Sequence, residues 1–244
     1  MERKLNRWQA FGIHFAISVV IFIALLAVIL LLWFPGILFQ IDGGWTGLQI
    51  VIGVDLVLGP LLTLIVFKAD KPSLKFDLSC IAALQTLCLA AGVAVVYSER
   101  PVALILAYDT IYSLAADEFR DFDVDPAVLE QFPGSYPKFV YTELPENYVS
   151  AEIEVMRSQV FGNPLFMQTE RYRPMPETGI AEYFRFEERL HEGLDEDFVR
   201  QLPERCLLTR FTSALNAGFI CVDSDSREIT DYFSDLPRAE PVLR

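Results

Sequence analysis

The sequence predicts a membrane protein with three N-terminal transmembrane α-helices followed by a periplasmic α+β domain. The composition is 52% hydrophobic, yet the formal net charge is −13, a pairing that is unusual for one soluble domain. The two properties separate along the chain: residues 1–97 hold six Lys/Arg and five Asp/Glu, whereas residues 98–244 hold fourteen and twenty-eight. We therefore expect a transmembrane region over residues 1–98 and an acidic domain over residues 99–244.

This distribution of charge also excludes several classes of protein. A chain with three long apolar segments is not intrinsically disordered. The excess of carboxylates in the second part repels phosphates, which excludes a conventional nucleic-acid binder. The apolar part is too short for a transporter built from most of the chain.

The first predicted helix covers about residues 11–34. Its 24 residues, at 1.5 Å each, exceed a hydrocarbon core of roughly 30 Å, so the helix can span a bilayer with some tilt. It is too long for the apolar core of a cleavable signal peptide, and the sequence from Trp33 to Gly36 is a poor cleavage site. We predict a retained helix that ends at Pro35-Gly36.

The second and third predicted helices cover about residues 47–67 and 78–97. Basic residues precede the first helix and lie between the second and third: Arg3, Lys4, Arg7, Lys68, Lys71 and Lys75. Residues 37–46, between the first and second helices, contain none. The positive-inside rule then predicts a cytoplasmic N-terminus and a domain beyond Ser98 on the far side, the periplasm if the membrane is a bacterial inner membrane.

The four cysteines fit this topology. Cys80 and Cys88 fall in the third helix, where we expect them to pack as small apolar groups. Cys206 and Cys221 are the two cysteines of the acidic domain, and an oxidising compartment would allow them to form a structural disulfide. The alternative is two unpaired cysteines on adjacent strands. No C-x-x-C motif suggests redox catalysis.

Asp55 interrupts the second apolar segment. A carboxylate at that depth costs at least about 3 kcal/mol on insertion scales, so it is usually protonated, paired or functional. Three alternatives stay open: a neutral Asp55 bonded to Gln85 or Thr86 that holds helices together, a contact with a partner's transmembrane helix, and a proton or ion relay. A depth count along the helices places His14 too shallow to take part.

Gly59-Pro60 follows Asp55 by one helical turn. Proline removes a backbone donor and allows a kink, which predicts a groove beside Asp55. Gly53 and Gly59 are six residues apart and do not form the small-xxx-small spacing of glycine-driven helix dimers.

The acidic domain is predicted as one α+β core of short elements. A buried strand covers residues 102–108, and residues 109–114 extend it. The remaining predicted elements are helices at 126–131, 146–161, 180–190 and 194–202, and strands at 138–142, 206–210, 218–223 and 228–233, the last two forming a hairpin.

Catalytic motifs are absent from the sequence, so we expect no enzyme, no metal and no cofactor. His191 lies in a charged stretch typical of a solvated helix surface. Asp109 falls outside the bilayer and cannot pair with Asp55 as an intramembrane protease would require. The acidic runs lack the alternating ligands and glycine turn of a calcium loop.

One stretch of the chain resembles a known family. The string from Gly53 to Phe67, Asp77-Leu, Gln85 inside the third helix and Glu99-Arg-Pro-Val102 together resemble the type IV pilin accessory proteins (TfpX/TfpZ type). The resemblance covers residues 1 to about 108.

The resemblance implies a non-catalytic inner-membrane chaperone that stabilises a cognate type IV pilin and promotes pilus assembly. Its partners would be the bilayer, the transmembrane helix of the pilin and the pilin's periplasmic head. The second and third helices, with Asp55, Gly59, Pro60, Gln85 and Thr86 as candidates, would contact the pilin helix or pack the helices together. Two alternatives stay open, a periplasmic pilin-modifying enzyme and a scaffold or sensor subunit of the pilus machinery, as does assembly into homo- or hetero-oligomers.

Overall fold

The computed structural model describes residues 5–69, 71–185, 190–191 and 194–238, which form two compact units. The helical unit contains the chain up to Trp33 together with Gly43–Glu99. The α/β unit contains Phe34–Asp42 and the chain from Arg100 onward. The sequence predicts a boundary between the two regions at residue 98 and gives no indication that Phe34–Asp42 belongs to the second unit.

In chain order, the helices are α1 (Arg7–Val28, continued by a π-helical segment Ile29–Trp33), α2 (Leu38–Ile41), α3 (Gly44–Val51), α4 (Gly59–Val66), α5 (Leu74–Ser98), α6 (Ala116–Asp121), α7 (Tyr148–Val160) and α8 (Glu196–Gln201). The strands are β1 (Pro101–Ala107), β2 (Thr110–Ala115), β3 (Lys138–Thr142), β4 (Tyr172–Pro174), β5 (Cys206–Thr212), β6 (Ala217–Asp223) and β7 (Ile229–Phe233).

In the described part of the chain, three helices are long and apolar enough to cross a membrane: Arg7–Trp33, Gly44–Val66 and Leu74–Ser98. Each begins three or four residues before the predicted apolar run, so its first turn includes residues outside that run, such as Arg7, Thr46 and Lys75. The first helix is capped by Asn6, whose side chain accepts from Gln9 N–H at 2.8 Å, while the Gln9 side chain accepts from Asn6 N–H at 3.0 Å.

The α/β unit is built on a mixed sheet. Among the described residues it has seven strands in the order β4-β3-β1-β2-β5-β6-β7, with parallel pairs β1–β3 and β2–β5 and antiparallel pairs elsewhere. The expectation that residues 109–114 extend the first strand is wrong. The chain reverses after Ala107 through Tyr108, which has φ of +62°, and β2 returns antiparallel to β1.

Apolar residues fill both faces of the central strand β1. Ala103, Ile105 and Ala107 belong to one buried cluster, and Leu104 and Leu106 belong to the other. Burial on both faces explains why this strand is a continuous apolar run rather than an alternating one.

The segment that contains α2 covers part of the second face. Leu38 and Ile41 are buried there, and the side chain of Asp42 accepts a hydrogen bond from the hydroxyl of Ser113 on β2. Asn216 Nδ2 donates to the carbonyl oxygen of Ile41 at 2.7 Å. The sequence of this segment predicts only a connecting loop, whereas in the structure the segment is part of the core of the α/β unit.

Most other predicted elements of this unit are confirmed, but one predicted helix is much shorter than expected, and helix α6 and strand β4 were not predicted. The helix expected at 180–190 is reduced to one 3₁₀ turn at Ile180–Tyr183, and residues 186–189 lie outside the described residues. Strand β4 was not predicted, because three residues are too few for a periodic signal.

Two of the four cysteines form the predicted disulfide and the other two are free. Cys206 on β5 and Cys221 on β6 are joined by a disulfide with a Cα–Cα distance of 5.1 Å. Cys80 and Cys88 are free thiols on the exposed surface of α5 rather than packed between helices.

Candidate functional site

Five polar side chains meet inside the helical unit: His14, Ser18, Asp55, Thr63 and Gln85. We call this set the polar cluster. Ser18, Asp55 and Thr63 are only 1%, 2% and 4% exposed. The cluster therefore lies in the interior of a unit whose outer surface is largely apolar.

Asp55 is anchored through one of its two carboxylate oxygens. Its Oδ1 accepts a hydrogen bond from Gln85 Nε2 and a longer one, at 3.4 Å, from the hydroxyl of Ser18. Its Oδ2 is buried and has no hydrogen-bond partner among the described residues. Asp55 thus joins the first, second and third apolar helices through a single oxygen atom.

The backbone around Asp55 explains why Gln85 is needed. Residues Ile52–Leu58 are π-helical, and the N–H of Gly59 donates to the carbonyl oxygen of Val54, five residues earlier. In the same register the next donor would be residue 60, but Pro60 has no N–H. The carbonyl oxygen of Asp55 instead receives a hydrogen bond from Gln85 Nε2 at 3.3 Å, so a side chain from α5 replaces the missing backbone donor.

His14 extends the cluster toward α4. Its Nε2 lies 2.8 Å from Gln85 Oε1, and its Nδ1 lies 2.6 Å from Thr63 Oγ1. An amide oxygen only accepts, so Nε2 carries a hydrogen; in the neutral imidazole Nδ1 then accepts from the Thr63 hydroxyl. The expectation that His14 is too shallow is wrong, because the first helix starts at Arg7 and His14 lies two turns inside it.

Gly59 allows α5 to approach this point closely. A Cβ atom added at Gly59 would overlap the carboxamide of Gln85, whereas one added at Gly53 would have nothing within 4 Å. Gly59 and Pro60 are both buried. The sequence predicted a groove beside Asp55; in the structure these residues pack helices together, and a contact with a partner stays a prediction.

The sequence predicted part of the polar cluster. Asp55 and Gln85 do meet, but Thr86 is exposed on the surface of α5 and makes no hydrogen bond with Asp55. Spacing would have identified the missed members: His14 and Ser18 are four residues apart, as are Asp55, Gly59 and Thr63. Each set therefore lies on one helix face.

The polar cluster can hold the three long helices together through hydrogen bonds. Hydrogen bonds between apolar helices contribute about 0.6 to 2 kcal/mol each, and this cluster links all three long helices. In the described ranges no three His, Cys, Asp or Glu side chains are grouped as a metal site would require.

The α/β unit carries two clefts. One, of about 390 Å³, is lined mainly by prolines, aromatic rings and aliphatic side chains, with Glu177, Arg227 and Glu228 at its polar part. The other, of about 310 Å³, lies where the parallel strands β1 and β3 end and contains Tyr141 and Tyr183. Burial raises the pKa of Tyr141, and the neighbouring Tyr183 raises it further.

His191 is half-buried, whereas the sequence predicted a solvated position. Much of the charged stretch around it, residues 186–189 and 192–193, lies outside the described residues.

Comparison with known proteins identifies relatives by sequence. The chain is 30% identical over 140 residues to a fimbrial assembly protein of serogroup E1 from Dichelobacter nodosus, an alignment that covers 57% of this chain and 51% of that protein. It is 28% identical over 140 residues to the serogroup I protein of the same organism, again with 57% and 51% covered. The chain thus spans about half the length of these two relatives.

A third relative is covered almost completely. The chain is 31% identical over 116 residues to the fimbrial assembly protein of serogroups C1 and C2 from Dichelobacter nodosus, which is 47% of this chain and 88% of that protein. No protein-family model matches the chain. No solved structure matches it either.

Proposed function

We propose, because the chain belongs to the family of fimbrial assembly proteins, that it is a non-catalytic accessory protein of the TfpX/TfpZ type. It sits in the bacterial inner membrane with a cytoplasmic N-terminus and a periplasmic α/β unit. There it stabilises a cognate type IV pilin and promotes pilus assembly. The observation that carries this proposal is the shared ancestry with three proteins named for fimbrial assembly.

The surface of the helical unit supports a membrane location. Large apolar side chains are exposed on all three long helices, including Leu31 at 73%, Ile65 at 71% and Leu87 at 69%. Such surfaces are stable in lipid, where another apolar helix can pack against them through van der Waals contacts. A pilin that waits in the membrane before assembly would present such a helix.

The polar cluster then has an indirect role. Because Asp55 is 2% exposed and bonded to Gln85, its geometry favours helix packing over direct contact with a partner. The cluster fixes how the three helices are arranged, and the pilin helix packs on the outer apolar surface that this arrangement presents.

The first test of this function is genetic. Deleting the gene in its native host is expected to lower the amount of pilin in the membrane and the number of surface pili, measured by immunoblotting and electron microscopy. Unchanged pilin and unchanged piliation in the deletion strain would overturn the proposal.

The role of the polar cluster is tested by a matched pair, Asp55→Leu and Asp55→Asn. The leucine variant removes the acceptor of Gln85, at a cost of roughly 1 to 2 kcal/mol in helix association, and should co-purify less pilin. The asparagine variant keeps an oxygen that can accept from Gln85 and should retain pilin. Equal recovery of pilin with both variants would show that the cluster is not needed for binding.

A further inference from the structure

Helix α7 of the α/β unit has two faces of opposite character. One face, with Ala151 and Ser158, is buried against the unit's own core. The other face is apolar and exposed. It consists of Val149, Ile153, Met156 and Val160, which are 45% to 78% exposed.

The spacing of these exposed residues is that of a coiled-coil seam. They recur at intervals of four, three and four residues, the alternation of a and d positions in a heptad. We call these four residues the α7 seam. Scattered exposed apolar residues are ordinary, but a contiguous apolar stripe along one helix marks an interaction surface.

The residues beside the α7 seam are charged in a self-complementary way. With Ile153 as position a, Glu152 is at position g and Arg157 is at the following position e. In a parallel pair of helices, the g residue of one chain meets the following e residue of the other. Two copies of α7 would therefore form two Glu152–Arg157 pairs across the seam.

Both side chains can make this contact while keeping the bonds they already have. Arg157 Nη1 donates to Glu154 Oε1 at 3.0 Å, and Glu152 Oε1 accepts from the Tyr148 hydroxyl at 2.7 Å. A guanidinium has five N–H donors and each carboxylate oxygen can accept more than one hydrogen bond, so groups that already have partners can add this contact.

A lipid surface fits the α7 seam less well than a second protein chain. Helices that lie on membranes carry mainly Lys and Arg on their polar face. Helix α7 has Glu152 and Glu154 against Arg157, and residues 98–244 as a whole hold fourteen basic and twenty-eight acidic side chains. This charge disfavours contact with anionic lipid.

We propose that the α7 seam is the interface between two copies of this chain, paired with their α7 helices parallel. The seam is short compared with the roughly 1,200 Å² or more buried in stable interfaces. Anchoring both copies in one membrane raises their effective concentration, which allows a small interface to suffice. The pairing goes beyond the pilus role proposed above and requires no pilin.

The pairing is tested by disulfide cross-linking of the full chain in lipid nanodiscs that each hold two copies, with no pilin present. The background carries Cys80→Ala and Cys88→Ala, which remove the free thiols and keep Cys206–Cys221. A parallel seam places each Met156 beside its counterpart, so Met156→Cys should form covalent dimers with a mild oxidant. Leu215→Cys is the matched control, because Leu215 is 59% exposed and Met156 is 58% exposed.

A second pair of variants tests the association without cross-linking. Met156→Glu places a carboxylate in the α7 seam and should raise the dimer dissociation constant more than about tenfold, which corresponds to 1.4 kcal/mol. Leu215→Glu adds the same charge elsewhere and should leave it unchanged. Dissociation is measured by energy transfer between labelled chains in membranes.

The proposal is overturned if Met156→Cys cross-links no faster than Leu215→Cys. It is also overturned if Met156→Glu associates as tightly as Leu215→Glu. Because these measurements use this chain alone, a negative result leaves the proposed pilin-stabilising role untouched, and a failed pilin assay leaves the pairing untouched.

Discussion

The two units of this chain differ in which side chains they expose and in the polar groups they bury. The helical unit buries Ser18, Asp55 and Thr63 and exposes residues such as Leu87. The α/β unit buries Phe119, Phe211 and Leu208 at 0% to 1% exposure and carries most of the charge of the chain. The helical unit, which consists of the chain up to Trp33 and Gly43–Glu99, and the α/β unit therefore differ in how their interiors are packed.

The difference shows which interactions determine the packing of each unit. In water, burial of apolar surface drives folding and selects the packing of the core. Between helices in lipid that driving force is absent, so close contacts and hydrogen bonds determine which faces meet. We therefore expect the polar cluster and Gly59 to determine how the helices pack in the helical unit, as the apolar core determines packing in the α/β unit.

The largest expected effect comes from the same substitution made in both units. Leu208→Ala removes a side chain that is 0% exposed in the core of the α/β unit and should lower its free energy of unfolding by about 2 to 5 kcal/mol. Leu87→Ala removes a side chain that is 69% exposed on α5 and should change stability little. Pulse proteolysis of the detergent-solubilised chain in increasing urea measures both.

Equal losses of stability from Leu208→Ala and Leu87→Ala would contradict the difference in burial between the core of the α/β unit and the outer face of α5. In that case the outer face of α5 would be packed against something as closely as a core is. Wild-type far-UV circular dichroism in both variants is the control for correct folding.

A smaller effect is expected from glycines in the helical unit. Gly59→Ala places a Cβ against the Gln85 carboxamide and should force that side chain out of the polar cluster, at a cost of about 1 to 3 kcal/mol. Gly53→Ala lies on the same helix with open space around its Cβ and should be neutral or slightly stabilising, because alanine favours helix.

The two glycine variants are compared by thermal melting in detergent, followed through the tryptophans. All three, Trp8, Trp33 and Trp45, lie in the helical unit, so their fluorescence reports on that unit. If Gly59→Ala melts at the same temperature as Gly53→Ala, the close approach of α5 at Gly59 is not important for stability.

The sequence predicted those elements that have a local signal. The three long helices follow from long, predominantly apolar runs, and β5, β6 and β7 follow from short β-rich runs separated by turn residues. The reversal at Tyr108 has only a weak signal, because tyrosine rarely adopts positive φ and Asp109 is the single turn-favouring residue between β1 and β2.

The long-range features needed the structure. The sequence around Leu38 and Ile41 is typical of a loop, and only their place in a buried cluster with Ile111 and Phe211 shows that α2 belongs to the core. The sequence shows that placing the Asp55 carboxylate inside an apolar helix costs free energy. Its connection to His14 through Gln85, however, depends on how three helices pack side by side. Sequence periodicity gives the face of each helix, not the pairing of faces.

The smallest expected effect concerns the alkaline limit of the α/β unit. Burial, and to a lesser extent the charge of Glu170, raise the pKa of Tyr172 well above its usual value of 10.0. Its hydroxyl donates a hydrogen bond to the carbonyl oxygen of Phe166. The folded state therefore keeps this proton when the unfolded chain has lost it.

The sign of the pH dependence follows from this. Above pH about 10 the unfolded state binds fewer protons than the folded state, so the stabilisation is fully present below that pH and is lost as the pH rises further. Tyr172→Phe should cost about 1 kcal/mol at neutral pH through the lost hydrogen bond and should make the alkaline decline shallower. Urea unfolding between pH 8 and about 11 measures both, and an unchanged slope would mean that Tyr172 ionises equally in the folded and unfolded chains.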